Sequence, residues 1–403
     1  MTYTDKMVNL LFEWNLDENC DDYSALIESL NSKDTFRTFG EGLLCFLQKR
    51  NPELTADKAA KYIEKLCEET KVPVEDIANK GTFRNWFKED KRPKKGDDSR
   101  RKIFAIAFAL QLNTEQTAEL FHKVYLDRAF DYRNVLDIVC YFCIANNKTW
   151  QDVNRILGVV SNLDTDKSDY TSCTVQIKSD IQIMTDENSL IEYIKNHGYN
   201  LKKRNVSAKK YKEQLIEETI KLAEDEIQLE KHRKKADELK IKRGEYFELD
   251  KPELFRFYNT TSNSLNHLYE VITGLSIYDT ERKKRKRLFK NSRLPQEIKS
   301  RFPESDTLSK SEPTYEELRK LIILLYSYKH WIQLRFNKAK SDITIYEEEI
   351  NNYLNDSGFS PIYYGNPYDW LFLFCALSNN PLDTFREIIA EVLEEELSTK
   401  VTD

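Results

Sequence analysis

The chain has 403 residues and carries 62 basic and 68 acidic side chains, for a formal net charge of −6. Single hydrophobic cores stop growing at roughly 250–300 residues, so the length excludes one core, and the mixed charge excludes any case for nucleic-acid binding from the total alone. Ten glycines stand where average usage of roughly 7% would give about 28, which makes glycine-rich phosphate loops scarce and long helices the expectation.

The opening stretch MTYTDKMVNLLFEWNLDENC has acidic residues where a signal peptide needs a cationic start and a longer apolar run. The most apolar segments, Ile103–Leu110 and Leu321–Tyr326, fall far below the roughly 18 residues of a spanning helix. The expectation is a cytoplasmic chain with no membrane partner, whose residues 1–34 form an N-terminal extension. Seven cysteines, an odd number, argue for reduced thiols. Cys140 and Cys143 have the spacing of a metal knuckle or redox pair, yet no second such pair completes a ligand set, and core packing is the simpler reading.

From Thr35 to Leu157 apolar residues recur at intervals of three and four, as in Phe121 with Val124 and Tyr125, or Ile138 with Phe142. The string FGEGLLCFLQKRN, TADKAAKYIEKLCEETK, VPVEDIA, TFRNWFKED, SRRKIFAIAFALQL, TEQTAELFHKVYLDRA, NVLDIVCYFCIAN and TWQDVNRIL reads as consecutive helices. Thr149 with Asp152 reads as a capping box opening the last of them. A helical module is therefore assigned to 35–160.

Within it, ETKVPVEDIANKGTFRNWFKEDKRPKKGDDSRRKIFAIAFALQLN places a short helix at Val74–Ala78, a turn at Asn79-Lys80-Gly81, a second helix at Thr82–Lys88 and a basic loop at Asp90–Lys95. An apolar helix follows over Arg101–Leu112. Residues Lys80–Lys102 hold ten Lys or Arg against four acids, in a chain that is acidic overall. These 45 or so residues resemble the DNA-binding domain of Xre-like, lambda-repressor-like helix-turn-helix regulators. The resemblance implies that Lys80, Arg84, Asn85 and Lys88 face base edges while Lys91, Arg92, Lys94 and Lys95 hold phosphates. The residue chemistry agrees, since Arg grips guanine bidentately and Asn adenine.

The stretch after residue 160 is polar and turn-rich. Periodicity leaves Cys173–Met184 open between a short strand pair and a helix lead-in, and DENSLIEYIKNHG reads as a helix ending at Gly198. Ser207–Arg243 reads as one long charged helix. Leu215, Leu222 and Leu229 repeat every seven residues, but Thr219, Glu226 and Arg233 make the complementary seam polar. A dimeric coiled coil needs both seams, so a long solvated helix, or an arm packed on one face, stands beside the coiled-coil reading. An aromatic-rich helical segment and the basic run Arg282–Arg287, a second candidate phosphate contact, complete a central region assigned to 161–290.

Residues 291–403 read as a second helical module that repeats part of the first. Aligned without gaps, Ala118–Leu157 and Ile350–Ile389 share Tyr132/Tyr364, Asn134/Asn366, Asp137/Asp369, Phe142/Phe374, Cys143/Cys375, Asn147/Asn379 and Ile156/Ile388. Arg319-Lys320-Leu321 opens its apolar helix as Arg101-Lys102-Ile103 opens the earlier one. In both copies an Asn is followed three residues on by an Asp at the start of an apolar helix, where either side chain suits the unpaired N–H groups of the first turn.

The expectation is thus an all-α protein: two related multi-helix modules joined by a central helical region with a long charged helix. Phosphate-loop, dinucleotide, nucleophile-elbow and paired metal-ligand spacings are absent, and the five histidines are dispersed. No enzymatic activity, cofactor or metal is expected. The resemblance implies a bacterial or phage-type regulator of transcription with duplex DNA as partner and the C-terminal module for sensing or protein binding. The alternative is a helical adaptor that binds another protein, in a mobile-element or defence setting.

Overall fold

A computed structural model describes residues 2–15, 23–32, 34–89, 91–161, 174–201, 206–240, 268, 271–273, 292, 294–303 and 313–398. The chain is all-α: among the described residues every regular element is a helix. None of these helices is long and apolar enough to cross a membrane.

In chain order the helices are α1 (Tyr3–Asn15), α2 (Ser24–Asn31), α3 (Phe39–Gln48), α4 (Ala56–Thr70), α5 (Val74–Ile77), α6 (Lys80–Phe87), α7 (Asp97–Ala109) and α8 (Thr114–Leu120). A π turn over Phe121–Tyr125 continues α8. There follow α9 (Val135–Ala145), α10 (Trp150–Val160), α11 (Thr174–Gln182), α12 (Glu187–Leu201) and α13 (Val206–Lys240). The last are α14 (Gln296–Lys299), α15 (Tyr315–Asn337), α16 (Ile343–Asp356), α17 (Pro367–Leu377) and α18 (Pro381–Ser398).

Helix starts follow the local code. Thr149 and Asp152 form the expected capping box, with the Thr149 N–H donating to Asp152 at 2.9 Å; Thr38 with Glu41 and Thr314 with Glu317 repeat it. Helix ends depart from the local code. The segment left open between strand and helix is α11, and the helix expected to stop at Gly198 runs on to Leu201. A glycine ends a helix only where the left-handed conformation is adopted there, and Gly198 is helical.

The chain divides into two compact units, Phe36–Val206 and a split unit of Met1–Thr35 with Ser207–Asp403. Within residues 1–34, read from the sequence as an extension, α1 and α2 are tied into the split unit: the Trp370 indole N–H donates to the Met7 carbonyl at 3.2 Å, and Ser24 donates to Glu391 at 2.9 Å. The contiguous unit closes over one core that includes Phe39, Ile63, Trp86, Phe104, Phe121, Phe142, Cys140, Cys143 and Trp150. Both cysteines of the CxxC spacing are buried, and desolvation pushes both thiols up, Cys143 to about 12, as core residues rather than ligands or nucleophiles. The split unit is packed on aromatic rings, with Phe372 5.9 Å from Trp331 and 5.3 Å from Phe385, centroid to centroid.

The first half of α13 is an arm packed against its own unit. Ala208, Lys212, Leu215, Thr219, Ala223 and Glu226 are buried, at helical spacings of three and four. Thr219 and Glu226, the polar positions that spoiled the heptad, therefore point inward. Thr219 donates to the Leu215 carbonyl, while Glu226 accepts from Tyr328 at 2.7 Å, Arg335 at 3.0 Å and Arg386 at 2.7 and 2.9 Å.

The repeated Asn and Asp have separate tasks. Asn134 and Asn366 are the N-caps, accepting from Leu136 N at 3.0 Å and Tyr368 N at 3.1 Å. The aspartates do not cap, because each is wholly buried and grips an arginine. Arg319 meets Asp369 through two parallel bonds of 2.7 and 2.8 Å and donates onward to the carbonyls of Ser360 and Pro361. Arg100 meets Asp137 through Nε at 3.3 Å and through Nη2, and donates onward to the carbonyls of Arg128 and Ala129. A backbone N–H completes each set, Tyr363 to Asp369 at 3.0 Å and Asp131 to Asp137 at 2.8 Å. The paired arginines are Arg100 and Arg319, one residue before the Arg101/Arg319 register read from the sequence. Burial works against the charge on Arg100, but the attraction of Asp137 and Asp127 outweighs it and pushes the guanidinium pKa up; Arg319 is held in the same way by Asp369.

Removing one member of a buried, fully bonded pair strands the other, at about 3–5 kcal/mol. Asp369→Ala and Asp137→Ala are each expected to lower stability by that amount in urea unfolding, while Arg319→Met with Asp369→Leu together cost clearly less than Asp369→Ala alone.

Candidate nucleic-acid interface

The candidate site is built on α6. Asn79 caps it, accepting from Thr82 N at 2.9 Å and from the Thr82 hydroxyl at 3.1 Å. The turn expected at Asn79-Lys80-Gly81 is thereby shortened: α5 is a single turn ending at Ile77, Ala78 is extended, and Lys80 and Gly81 already belong to the first turn of α6. A side chain that caps from position 79 commits the next residue to the helix, which the sequence reading placed two residues later.

One face of α6 anchors it. Phe83 and Trp86 are buried, with Trp86 edge-on to Phe39 at 5.1 Å and to Phe83 at 5.8 Å. The helix lies so close to α3 that a Cβ on Gly40 would meet the Trp86 carbonyl oxygen at 2.1 Å, which only glycine permits.

The opposite face is cationic. Lys80, Arg84 and Lys88, spaced by four, are exposed, and Asn85 beside them is half-buried. The chain then doubles back, the Lys91 N–H donating to the Asn85 carbonyl at 2.8 Å, so that exposed Lys91 follows directly on the helix. Glu89 lies among them, 2.9 Å from both Arg84 and Lys91, and Lys88 reaches Asp57 at 2.9 Å. The Lys91 hydrogen bond holds the Glu89 carboxyl below its ordinary range. Lys80 and exposed Lys94 make no side-chain hydrogen bond or ion pair among the described residues.

The loop cations divide into two kinds. Arg92 donates to the Val124 carbonyl at 2.6 Å, and Lys95 donates to the carbonyls of Tyr125 and of Leu126, the latter at 2.8 Å, with its ammonium 4.0 Å above the Tyr125 ring. These are the carbonyls left over where the π turn ends and Leu126 adopts a left-handed φ of 57°, and a cation suits the negative end of a helix. Of the eight residues expected at the site, Lys80, Arg84, Lys88, Lys91 and Lys94 are exposed and Asn85 is half-buried, whereas Arg92 and Lys95 donate to backbone carbonyls. Nothing local marks this division, because the carbonyls they satisfy lie about thirty residues downstream. The basic run Arg282–Arg287 and loop residue Asp90 lie outside the described residues.

No family model, no curated protein and no solved structure matches the chain.

The two kinds of loop cation are expected to separate in stability. Lys95→Ala removes charge-assisted bonds to part-buried carbonyls and lowers stability by about 1–3 kcal/mol, whereas Lys94→Ala leaves it within about 0.5 kcal/mol, as read from urea midpoints.

Proposed function

We propose that the protein binds duplex DNA through the exposed face of α6 and the loop that follows it. The observation that carries this reading is the alignment of Lys80, Arg84 and Lys88 on one exposed face, continued by Lys91 and Lys94, opposite a face anchored by Phe83 and Trp86. An anchored helix presents its outer side chains in a fixed order, as insertion in a major groove needs. The acids near these cations are exposed partners, and exposed ion pairs are worth about 0–1 kcal/mol. Phosphates displace them at little cost.

In this reading Arg84 contacts a guanine edge and Asn85 an adenine edge, while Lys80, Lys88, Lys91 and Lys94 neutralise backbone phosphates. The local excess of cations, rather than the acidic total, sets the encounter. The chain then acts as a DNA-binding regulator, and its split unit is left for sensing or partner contact.

Four neutralised phosphates predict a salt slope near −3.6, so affinity for duplex DNA falls roughly a hundredfold between about 50 and 200 mM salt. Fluorescence anisotropy with a random duplex checks this, beside an Arg84→Ala/Lys94→Ala variant that keeps its fold and loses most of the binding. No binding at the lower salt contradicts the proposal and favours the helical adaptor, which pull-downs would then pursue.

A further inference from the structure

The split unit holds a cleft of about 600 Å³ between α13, α15 and α16. Its walls are aromatic. Tyr353 stands in the middle, its ring centroid 5.0 Å from that of Tyr326 and 6.2 Å from that of Tyr211, and His330 stacks against Tyr326 at 5.8 Å. Exposed Glu349 and Asp356 flank Tyr353 on α16, one turn before it and one turn after.

The charges in the cleft do not balance. Lys329 is its one lining cation with a fixed charge, and its ammonium is already held by Glu218 at 2.6 Å and by the Tyr353 hydroxyl at 3.1 Å. His330 lies 3.3 Å from Glu349, but its burial outweighs that attraction and holds its pKa below the ordinary value. Glu349 otherwise accepts from the Tyr326 hydroxyl, and Asp356 from Tyr211 at a long 3.5 Å. Among the described residues, neither carboxylate has a lysine or arginine within ion-pair distance. Two carboxylates with no lysine or arginine partner among the described residues therefore line a cleft that also holds three tyrosine rings, one of which, Tyr353, has the Lys329 ammonium 5.5 Å from its centroid.

Such a cleft repels phosphates and carboxylates. An apolar ligand would leave the polar rim unpaired. A cation with an apolar stem or a flat delocalised plane suits both features, since tyrosine faces attract cations by about 0.5–2 kcal/mol each and carboxylates accept their N–H groups. We propose that this cleft binds an organic cation, an alkylammonium or guanidinium group, with its body on Tyr353 and its charge between Glu349 and Asp356. The cation comes either from a free amine or from a lysine or arginine side chain of a peptide, and the same chemistry receives both. The site is independent of α6, and its occupancy does not require DNA binding.

Isothermal titration calorimetry on the full chain tests this with three probes: spermidine, agmatine and a short peptide with one arginine and one lysine in a neutral background. At least one is expected to bind, with affinity reduced about fivefold to tenfold in Glu349→Gln and in Tyr353→Leu. Binding of the free amines assigns the cleft to a small molecule, and binding of the peptide alone assigns it to a protein side chain; both support the proposal. Glu349 is exposed, so Glu349→Gln keeps the fold and remains informative even if Tyr353→Leu perturbs it. Failure of all three probes to bind at about 10 mM overturns the proposal, as does binding that Glu349→Gln leaves unchanged.

Discussion

The interaction on which each unit depends is a buried arginine held in a two-oxygen grip by a buried aspartate. Arg100 with Asp137 and Arg319 with Asp369 each join a long apolar helix to the helix two elements later, and each arginine also collects two carbonyls from the loop entering that second helix. A loop with unpaired carbonyls is costly to bury. Satisfying those carbonyls with a guanidinium that is itself neutralised by aspartate lets the loop lie against the core, and a neighbouring Asn cap then starts the next helix. Charge, loop and helix start are satisfied together, so breaking one member is expected to be far worse than replacing both.

Much of this was legible in the sequence, but not its central contact. The Asn and Asp of each copy were visible as identities at a constant offset, and so was their place at the start of an apolar helix. Their division of labour was not, because Asn and Asp cap helices equally well and only burial tells them apart. The arginines escaped for another reason: Arg100 lies 37 residues from Asp137, and Arg319 lies 50 from Asp369. A gapless alignment anchored on the aspartates cannot bring the two arginines into register. The backbone partners are invisible to side-chain identity altogether, since the carbonyls of Arg128 and Ala129 do the work that those of Ser360 and Pro361 do in the other unit.

The long charged helix shows a similar limit. Heptad spacing drew attention to Leu215, and polar Thr219 and Glu226 then counted against a second seam. Both face inward, Glu226 because Tyr328, Arg335 and Arg386 converge on it. A polar residue at an inward position can be recognised only when its partners, here more than a hundred residues away, are known. At the candidate interface the resemblance picks out Lys80, Arg84 and Lys88, which are exposed on α6, whereas nothing in it points to the capture of Arg92 and Lys95 by the end of the π turn. The rings of the cleft in the split unit come from three helices, and no local pattern announced them.

Lysine reactivity in the full chain tests the role of the α6 surface most directly. Reductive methylation read by mass spectrometry, with and without duplex DNA, compares every lysine in one experiment. If α6 and its loop hold DNA, Lys80, Lys88, Lys91 and Lys94 lose reactivity when the duplex is added, while Lys95, already bound to the Tyr125 and Leu126 carbonyls, reacts slowly in both states. Unchanged reactivity at Lys80, Lys88, Lys91 and Lys94 in the presence of saturating duplex would contradict the account.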